Sequence, residues 1–222
     1  MSKFKALIFD FDGIITDTEP VHMEGWLSVL EDVGITFSED EYHARYLGFN
    51  DRDFLDAVSH ANGCHFTDVQ KSSMTEEKHS EVIRLLERNV PLLPGVKDFV
   101  EAAAKDHMLA ICSGSTRGEI DYILRKLKWN SLFNPIVSAE LVKKGKPDPE
   151  GYIRTLETLT ERASDSLLAE EVLAIEDSPN GIAAANAAGI KCIAITNSCD
   201  PKNLSAAYRI FDSLSDVDLK NL

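Results

Sequence analysis

At 222 residues and 44% hydrophobic content, the chain is long enough for one substantial core with a smaller satellite domain, and it needs neither disulfides nor a structural metal to fold. Its 23 basic and 37 acidic residues give a formal net charge of −14, which opposes a nucleic-acid or anionic-membrane surface and leaves a small anion only those places where a local cation overrides the field. No basic leader precedes an apolar stretch and no apolar run reaches about 18 residues, so neither export nor membrane spanning is encoded and a cytoplasmic protein is expected.

The first strand signal is "KALIF", a short apolar run that ends in "DFDGIIT", with Asp10 and Asp12 one residue apart. From about residue 18 to residue 90 the pattern turns helical. "HMEGWLSVLEDVG" spaces Trp26, Leu30 and Val33 along one face, "DRDFLDAVSHANG" does the same with Phe54, Leu55 and Val58, and "TEEKHSEVIRLLERN" supplies a third amphipathic helix. "VPLLPG" then stops the helix with two prolines and a glycine and returns the chain. Beyond it, "MLAIC", "PIVSA", "EVLAIE" and "KCIAIT" fit strands buried on both faces of a parallel sheet. Between them, "TRGEIDYILRKL" puts Ile120, Ile123, Leu124 and Leu127 on one helical face, and "PNGIAAANAAG" reads as an alanine-rich helix with Pro179 near its start and Gly189 past its end. The alternation predicts an α/β fold, a doubly wound parallel sheet with right-handed crossovers. The expected division is a core of residues 1–17 and 91–222, with a helical insertion over 18–90.

Ligands of open α/β sheets bind beyond the carboxyl ends of the strands, so the residues that follow each strand carry the functional reading. These are Asp10 and Asp12 after the first, Ser113 after the second, and Glu176 with Asp177 after "VLAI"; Lys146 lies in the loop "KKGKPDPEG". Carboxylates from separate strand ends, joined by one lysine and one serine, suit a hard, oxygen-loving cation such as Mg²⁺ together with a phosphoryl group. Taken singly, an Asp pair after a strand or an "ED" in a loop serves as well for a turn or a helix cap. Their joint arrangement in chain order is what favours chemistry. The four cysteines, Cys64, Cys112, Cys192 and Cys199, form no CxxC pair and read as free thiols, and His60, Cys64 and His65 lack the further ligands a zinc site needs.

In that arrangement Asp10 is placed to attack phosphorus and form an aspartyl phosphate, and Asp12, on the same side of an extended chain, to protonate the leaving oxygen and then activate water. Ser113 and the Gly114 backbone would hydrogen-bond the phosphoryl oxygens, with Ser115 beside them, while Lys146 pairs with Asp10 and the developing charge. Asp177 would hold Mg²⁺ with Asp10 and the carbonyl of Asp12, and Glu176 would support it directly or through water.

The segments "DFDGIIT", "ICSGS", "GKPDPEG" and "IEDSPNG" resemble the four ordered motifs of haloacid dehalogenase superfamily phosphatases, over a core from residue 5 to about 196. The helical insertion is similar to the cap of the subgroup that contains phosphoglycolate phosphatases and β-phosphoglucomutases, which implies a cap that closes over substrate and contributes specificity. The resemblance also places His22 at the core and cap junction, and makes Asn50, Arg52 and Arg117 candidates for substrate contact. Two departures stand out. In "LGFNDRDF", Asp51 occupies the place where the mutases carry an arginine, with Arg52 one residue on, and Glu150 stands where the third motif usually has Asp. Asp12 argues against a true dehalogenase, which lacks the second aspartate. The expectation is therefore a Mg²⁺-dependent phosphatase of a small phosphorylated metabolite, monomeric by default. A β-phosphoglucomutase is the alternative, and a catalytically silent binding protein on the same fold is the alternative of another class.

Overall fold

The computed structural model describes residues 3–46, 49–163 and 166–222; Leu47 and Gly48 of "LGFNDRDF" lie outside the described residues. The chain divides into two compact units, Met1–Asp17 with Pro91–Leu222, and Thr18–Val90.

The larger unit is built on six parallel strands, β1 (Ala6–Phe9), β2 (Met108–Cys112), β3 (Phe133–Val137), β4 (Val172–Glu176), β5 (Lys191–Ile195) and β6 (Arg209–Phe211), in the order β3-β2-β1-β4-β5-β6. Strand order reverses at β1, the switch point of a doubly wound sheet, where the connections leave to either side and open a crevice. Register makes that crevice polar. Phe9 is level with Ile111 on β2 and with Ile175 on β4, so Asp10, Ser113, Glu176 and Asp177 all emerge at one edge.

The two faces of the sheet are packed differently. Ala6, Ile8, Ala110, Cys112, Val172, Ala174, Cys192 and Ala194 line a face of mostly small side chains, covered by Tyr152 and Leu159 of one helix (Glu150–Arg162) and by Ile182, Ala184 and Ala185 of another (Pro179–Ala187). Small residues on both partners let these helices lie close to the strands. The opposite face carries Leu7, Phe9, Leu109, Ile111, Leu173 and Ile175, all fully or almost fully buried, and Phe9 there meets Phe99 of a helix over Val96–Ala103 edge to face.

The smaller unit contains α1 (Glu19–Glu31), α2 (Glu39–Arg45), α3 (Asp51–Ala61) and α4 (Asp68–Arg88). In chain order the four helices of the larger unit are then α5 (Val96–Ala103), α6 (Arg117–Lys126), α7 (Glu150–Arg162) and α8 (Pro179–Ala187). Trp26 stacks on Phe54 at 4.6 Å between ring centroids, and Leu30, Tyr42, Leu55 and Val58 complete this unit's core. α1 packs on α4 at Gly25, where a Cβ would stand 3.0 Å from Val82 Cγ2. Two details differ from the sequence reading. α4 begins at Asp68 rather than near Thr75, because Thr67 and Gln70 form a reciprocal capping box that starts the helix earlier. Val33 is 51% exposed rather than buried, because α1 ends at Glu31 and the chain turns away through Gly34 at φ +74°.

These assignments set an order of stability effects for urea denaturation. Leu86→Ala, at a fully buried site on α4, should cost about 2–5 kcal/mol. Loss of the Thr67 cap in Thr67→Ala should cost about 1 kcal/mol. Val69→Ala, on the exposed face of the same helix, should leave stability unchanged or slightly raised.

Candidate active site

Asp10 follows β1 directly, and its backbone N–H continues the ladder by donating to Ile175 O at 2.9 Å. Its Oδ1 accepts from the Phe11 N–H at 2.8 Å and lies 2.8 Å from Lys146 Nζ. The same ammonium lies 2.6 Å from Glu176 Oε1, so Lys146 bridges carboxylates at the ends of β1 and β4. Lys146 reaches this position from a loop fastened by Glu150, whose Oε2 accepts the backbone N–H groups of Lys143 and Lys144 at 3.0 and 3.1 Å. The glutamate that departs from the usual third motif therefore anchors the loop that presents the lysine.

Asp10, Glu176 and Asp177 each bring a carboxylate oxygen to within 4.8 Å of the other two. Three buried carboxylates against one ammonium leave an excess of negative charge in a low-dielectric setting. Burial, then repulsion from Glu176 and Asp177, push the Asp10 carboxyl well above the usual carboxylate range, against the pull of Lys146. Burial and Glu176 likewise push Asp177 up to about 6, although the Ser198 hydroxyl pulls the other way. Burial by itself would lower the Lys146 pKa, but the attraction of Asp10 and Glu176 outweighs it and holds the ammonium above the ordinary lysine value. Burial pushes the neighbouring Cys112 thiol up to about 11, so it is an inert packing group.

A divalent cation fits this set by charge and by ligand type, since all the donors are hard oxygens and no imidazole or thiolate takes part. Among the described residues it is the one cluster of three or more His, Cys, Asp or Glu side chains so arranged, and the segment with His60, Cys64 and His65 does not form one.

The other candidates fall into three groups. Asp12 Oδ2 accepts from the Ser115 hydroxyl, and Ser113 Oγ accepts from the Ser115 N–H at 2.9 Å, which makes 113–115 a tight turn after β2. Around Gly114 a Cβ would meet nothing within 4 Å, so the backbone there is open to approach. Arg117 opens α6 and is turned to its own helix, with Nε 2.9 Å from both oxygens of Asp121, while its N–H donates to Glu140 at 3.0 Å. His22, Asn50 and Arg52 belong to the helical unit. His22 lies in the first turn of α1, its N–H donating to Thr18 O at 2.9 Å; Asn50 caps α3 through Asp53; and Arg52 pairs with Asp68 at 3.3 Å.

Several supporting residues carry no motif signal of their own. Ser198, in the loop after β5, donates to Asp177, and Asn197 beside it donates to Gly13 O at 2.7 Å. Gly13 has φ +75°, and a Cβ there would overlap the Asp177 carboxylate, so both backbone conformation and space require glycine. Tyr152 donates from α7 to Glu176 Oε1 at 2.7 Å. A polar residue just after β5 was the available clue to Ser198; nothing in an apolar helical face marks the Tyr152 hydroxyl.

Known proteins resemble the chain over most of its length. A phosphorylated carbohydrates phosphatase from Thermotoga maritima is 35% identical over 191 residues, covering 85% of this chain and 83% of the relative. A β-phosphoglucomutase from Bacillus subtilis is 30% identical over 195 residues, covering 86% of this chain and 83% of the relative. Among solved structures, a β-phosphoglucomutase from Clostridium difficile superposes with a TM-score of 0.77 at 25% identity, covering 97% of this chain and 93% of that one. The family model for the haloacid dehalogenase-like hydrolases matches residues 7–195, from the first strand to the end of β5, and with relatives at this identity over most of their length the chain belongs to that family.

Proposed function

We propose that the protein is a Mg²⁺-dependent phosphatase that removes phosphate from a small phosphorylated metabolite, a sugar phosphate or a phosphoglycolate-like acid, through an aspartyl-phosphate intermediate. The observation that carries the reading is the Lys146 bridge between Asp10 and Glu176 inside the three-carboxylate cluster at the sheet's switch point. That arrangement pairs a nucleophile with a cation and leaves an oxygen-donor site beside it. The carbohydrate phosphatase and the mutase among the relatives support a phosphorylated sugar as the substrate class.

Asp10, Asp177 and the carbonyl of Asp12 would hold the ion, with Glu176 completing the acidic set. A divalent ion bound there neutralises charge on the phosphoryl oxygens. In the first step the Asp10 carboxylate attacks phosphorus, the ester P–O bond breaks, and Asp12 gives its proton to the leaving oxygen. In the second, Asp12 takes a proton from water, which attacks the aspartyl phosphate and releases inorganic phosphate with the Asp10 carboxylate restored. The Ser115 hydroxyl on Asp12 Oδ2 orients that carboxyl group between the two steps. Ser113 and the backbone at Gly114 receive the phosphoryl oxygens, and Lys146 holds Asp10 ionised and oriented. Thr18–Val90 acts as the cap in this reading, with His22, Asn50 and Arg52 as its candidates for substrate contact and Arg117 as the core's. Arg52 and Arg117 would each exchange an existing partner, Asp68 or Asp121, to serve in that way.

Phosphate release from phosphorylated sugars, phosphoglycolate and nucleotides should require Mg²⁺, and Asp10→Asn should lower it at least about 10³-fold. Conversion of glucose 1-phosphate to the 6-phosphate in the presence of the bisphosphate, without phosphate release, would replace hydrolysis by mutase chemistry. Silence in both assays would favour a binding protein.

The raised carboxylate of Asp177 gives a second test with a defined sign. An unfolded Asp loses its proton near 3.8 and the folded one near about 6, so the metal-free fold holds the extra proton and loses relative stability as pH rises through that window. Asp177→Asn should therefore match the metal-free wild type in Tm near pH 4 and exceed it above pH 6, while losing most of the stabilisation that Mg²⁺ gives the wild type. A metal-free variant that melts below the wild type at pH 7.5 would contradict this account.

A further inference from the structure

Glu176 ends β4 with no exposed surface, and both of its oxygens are engaged. Oε1 accepts from the Tyr152 hydroxyl at 2.7 Å and faces Lys146 Nζ at 2.6 Å, while Oε2 accepts from the Ser178 hydroxyl at 3.3 Å. The first turn of α8 closes over the carboxylate so tightly that a Cβ on Gly181 would overlap it. Tyr152 is itself fully buried on α7, and Lys146 Nζ stands 5.6 Å from its ring centroid, so the ring flanks the ammonium that its hydroxyl holds through Glu176.

A continuous chain thus runs from a core helix to the reacting carboxylate: Tyr152 to Glu176, Glu176 to Lys146, Lys146 to Asp10. Packing alone does not call for the hydroxyl. Phenylalanine would fill the same space among Cys112, Ile182 and Leu159 without a polar atom to satisfy. The hydroxyl's one described partner is the glutamate.

We propose that Tyr152 is a positioning residue for the phosphoryl transfer, its hydroxyl fixing Glu176 Oε1 where that oxygen and Asp10 together hold Lys146 Nζ. Glu176 then acts on the reaction chiefly through the lysine, and its charge reaches the metal site without its oxygens being released from Tyr152 and Ser178. This inference rests on the phosphatase reading of the same site.

The test is a double-mutant cycle with Tyr152→Phe and Glu176→Gln, read by kinetics and by Mg²⁺-dependent thermal shift. Tyr152→Phe keeps the ring and should fold. Loss of a buried hydrogen bond to a charged group should lower kcat about tenfold while KM changes by less than about twofold. The Mg²⁺ concentration at the midpoint of the thermal shift should also stay within about twofold, which a general loosening of the site would not allow. In the Glu176→Gln background the same change should cost less than it does in the wild type, because the charged acceptor that the hydroxyl positions is gone. Wild-type kcat in Tyr152→Phe, or effects of the two changes that multiply, would overturn the inference while leaving the phosphatase reading intact. A wild type inactive on every phosphate ester would overturn the phosphatase reading and this inference with it.

Discussion

The Lys146 bridge between Asp10 and Glu176 is the interaction on which the site depends. It joins the carboxyl ends of β1 and β4, the two strands between which the winding of the sheet reverses, and both of its carboxylates are buried. Without it, adjacent strands would present three carboxylates to one another with no cation between, and burial together with mutual repulsion would favour their protonated forms. With it, one negative charge of the three buried carboxylates is balanced and an excess remains. The lysine thus fixes the geometry of the carboxylates and leaves the site still acidic enough to attract a divalent ion.

The rest of the larger unit can be understood as support for that bridge. Alanines and cysteines on one sheet face let α7 and α8 approach closely enough for Tyr152 and Ser178 to reach Glu176. Glu150, at the start of α7, ties down the loop that delivers Lys146, so one helix both fastens the lysine and orients its partner. On the far side, the loop after β5 buttresses Asp177 through Ser198 and the first loop through Asn197. The opposite face, with its Leu, Ile and Phe side chains, contributes burial and no polar group of the site.

This division of labour explains what could be read from the sequence. The strand runs were legible because a strand covered on both faces is apolar throughout, and the carboxylates were legible because such runs end abruptly in charge. "MLAIC" and "KCIAIT" needed no tertiary knowledge. β6 was not legible: its three residues, "RIF", sit at the sheet edge, two of them exposed, so neither length nor pattern marks them. α4 was read short because its first turns are polar and its start is set by side-chain capping rather than by an apolar face. The supporting groups were hidden for a different reason. Tyr152, Ser178 and Ser198 act through hydroxyls whose partners are distant in sequence or serve a cap as well, and a hydroxyl has no periodicity. Arg117 could be read either as a phosphate contact or as a residue of the helix surface, and in the structure Asp121 one turn away engages it.

Several cations of the helical unit are matched by carboxylates within it. Lys78 is almost completely buried, pairs with Asp51 at 2.9 Å and lies over Trp26, so Asp51 neutralises a cation from within its own unit. Lys71 is matched by Asp56, and Arg52 by Asp68. The pull of Lys78 and His79 on Asp51 outweighs its burial and holds its carboxyl down at about 2, so protonation near neutral pH does not free Lys78. Each of these three cations is therefore held by a carboxylate of its own unit, and the buried one, Lys78, could be released only at a cost in desolvation.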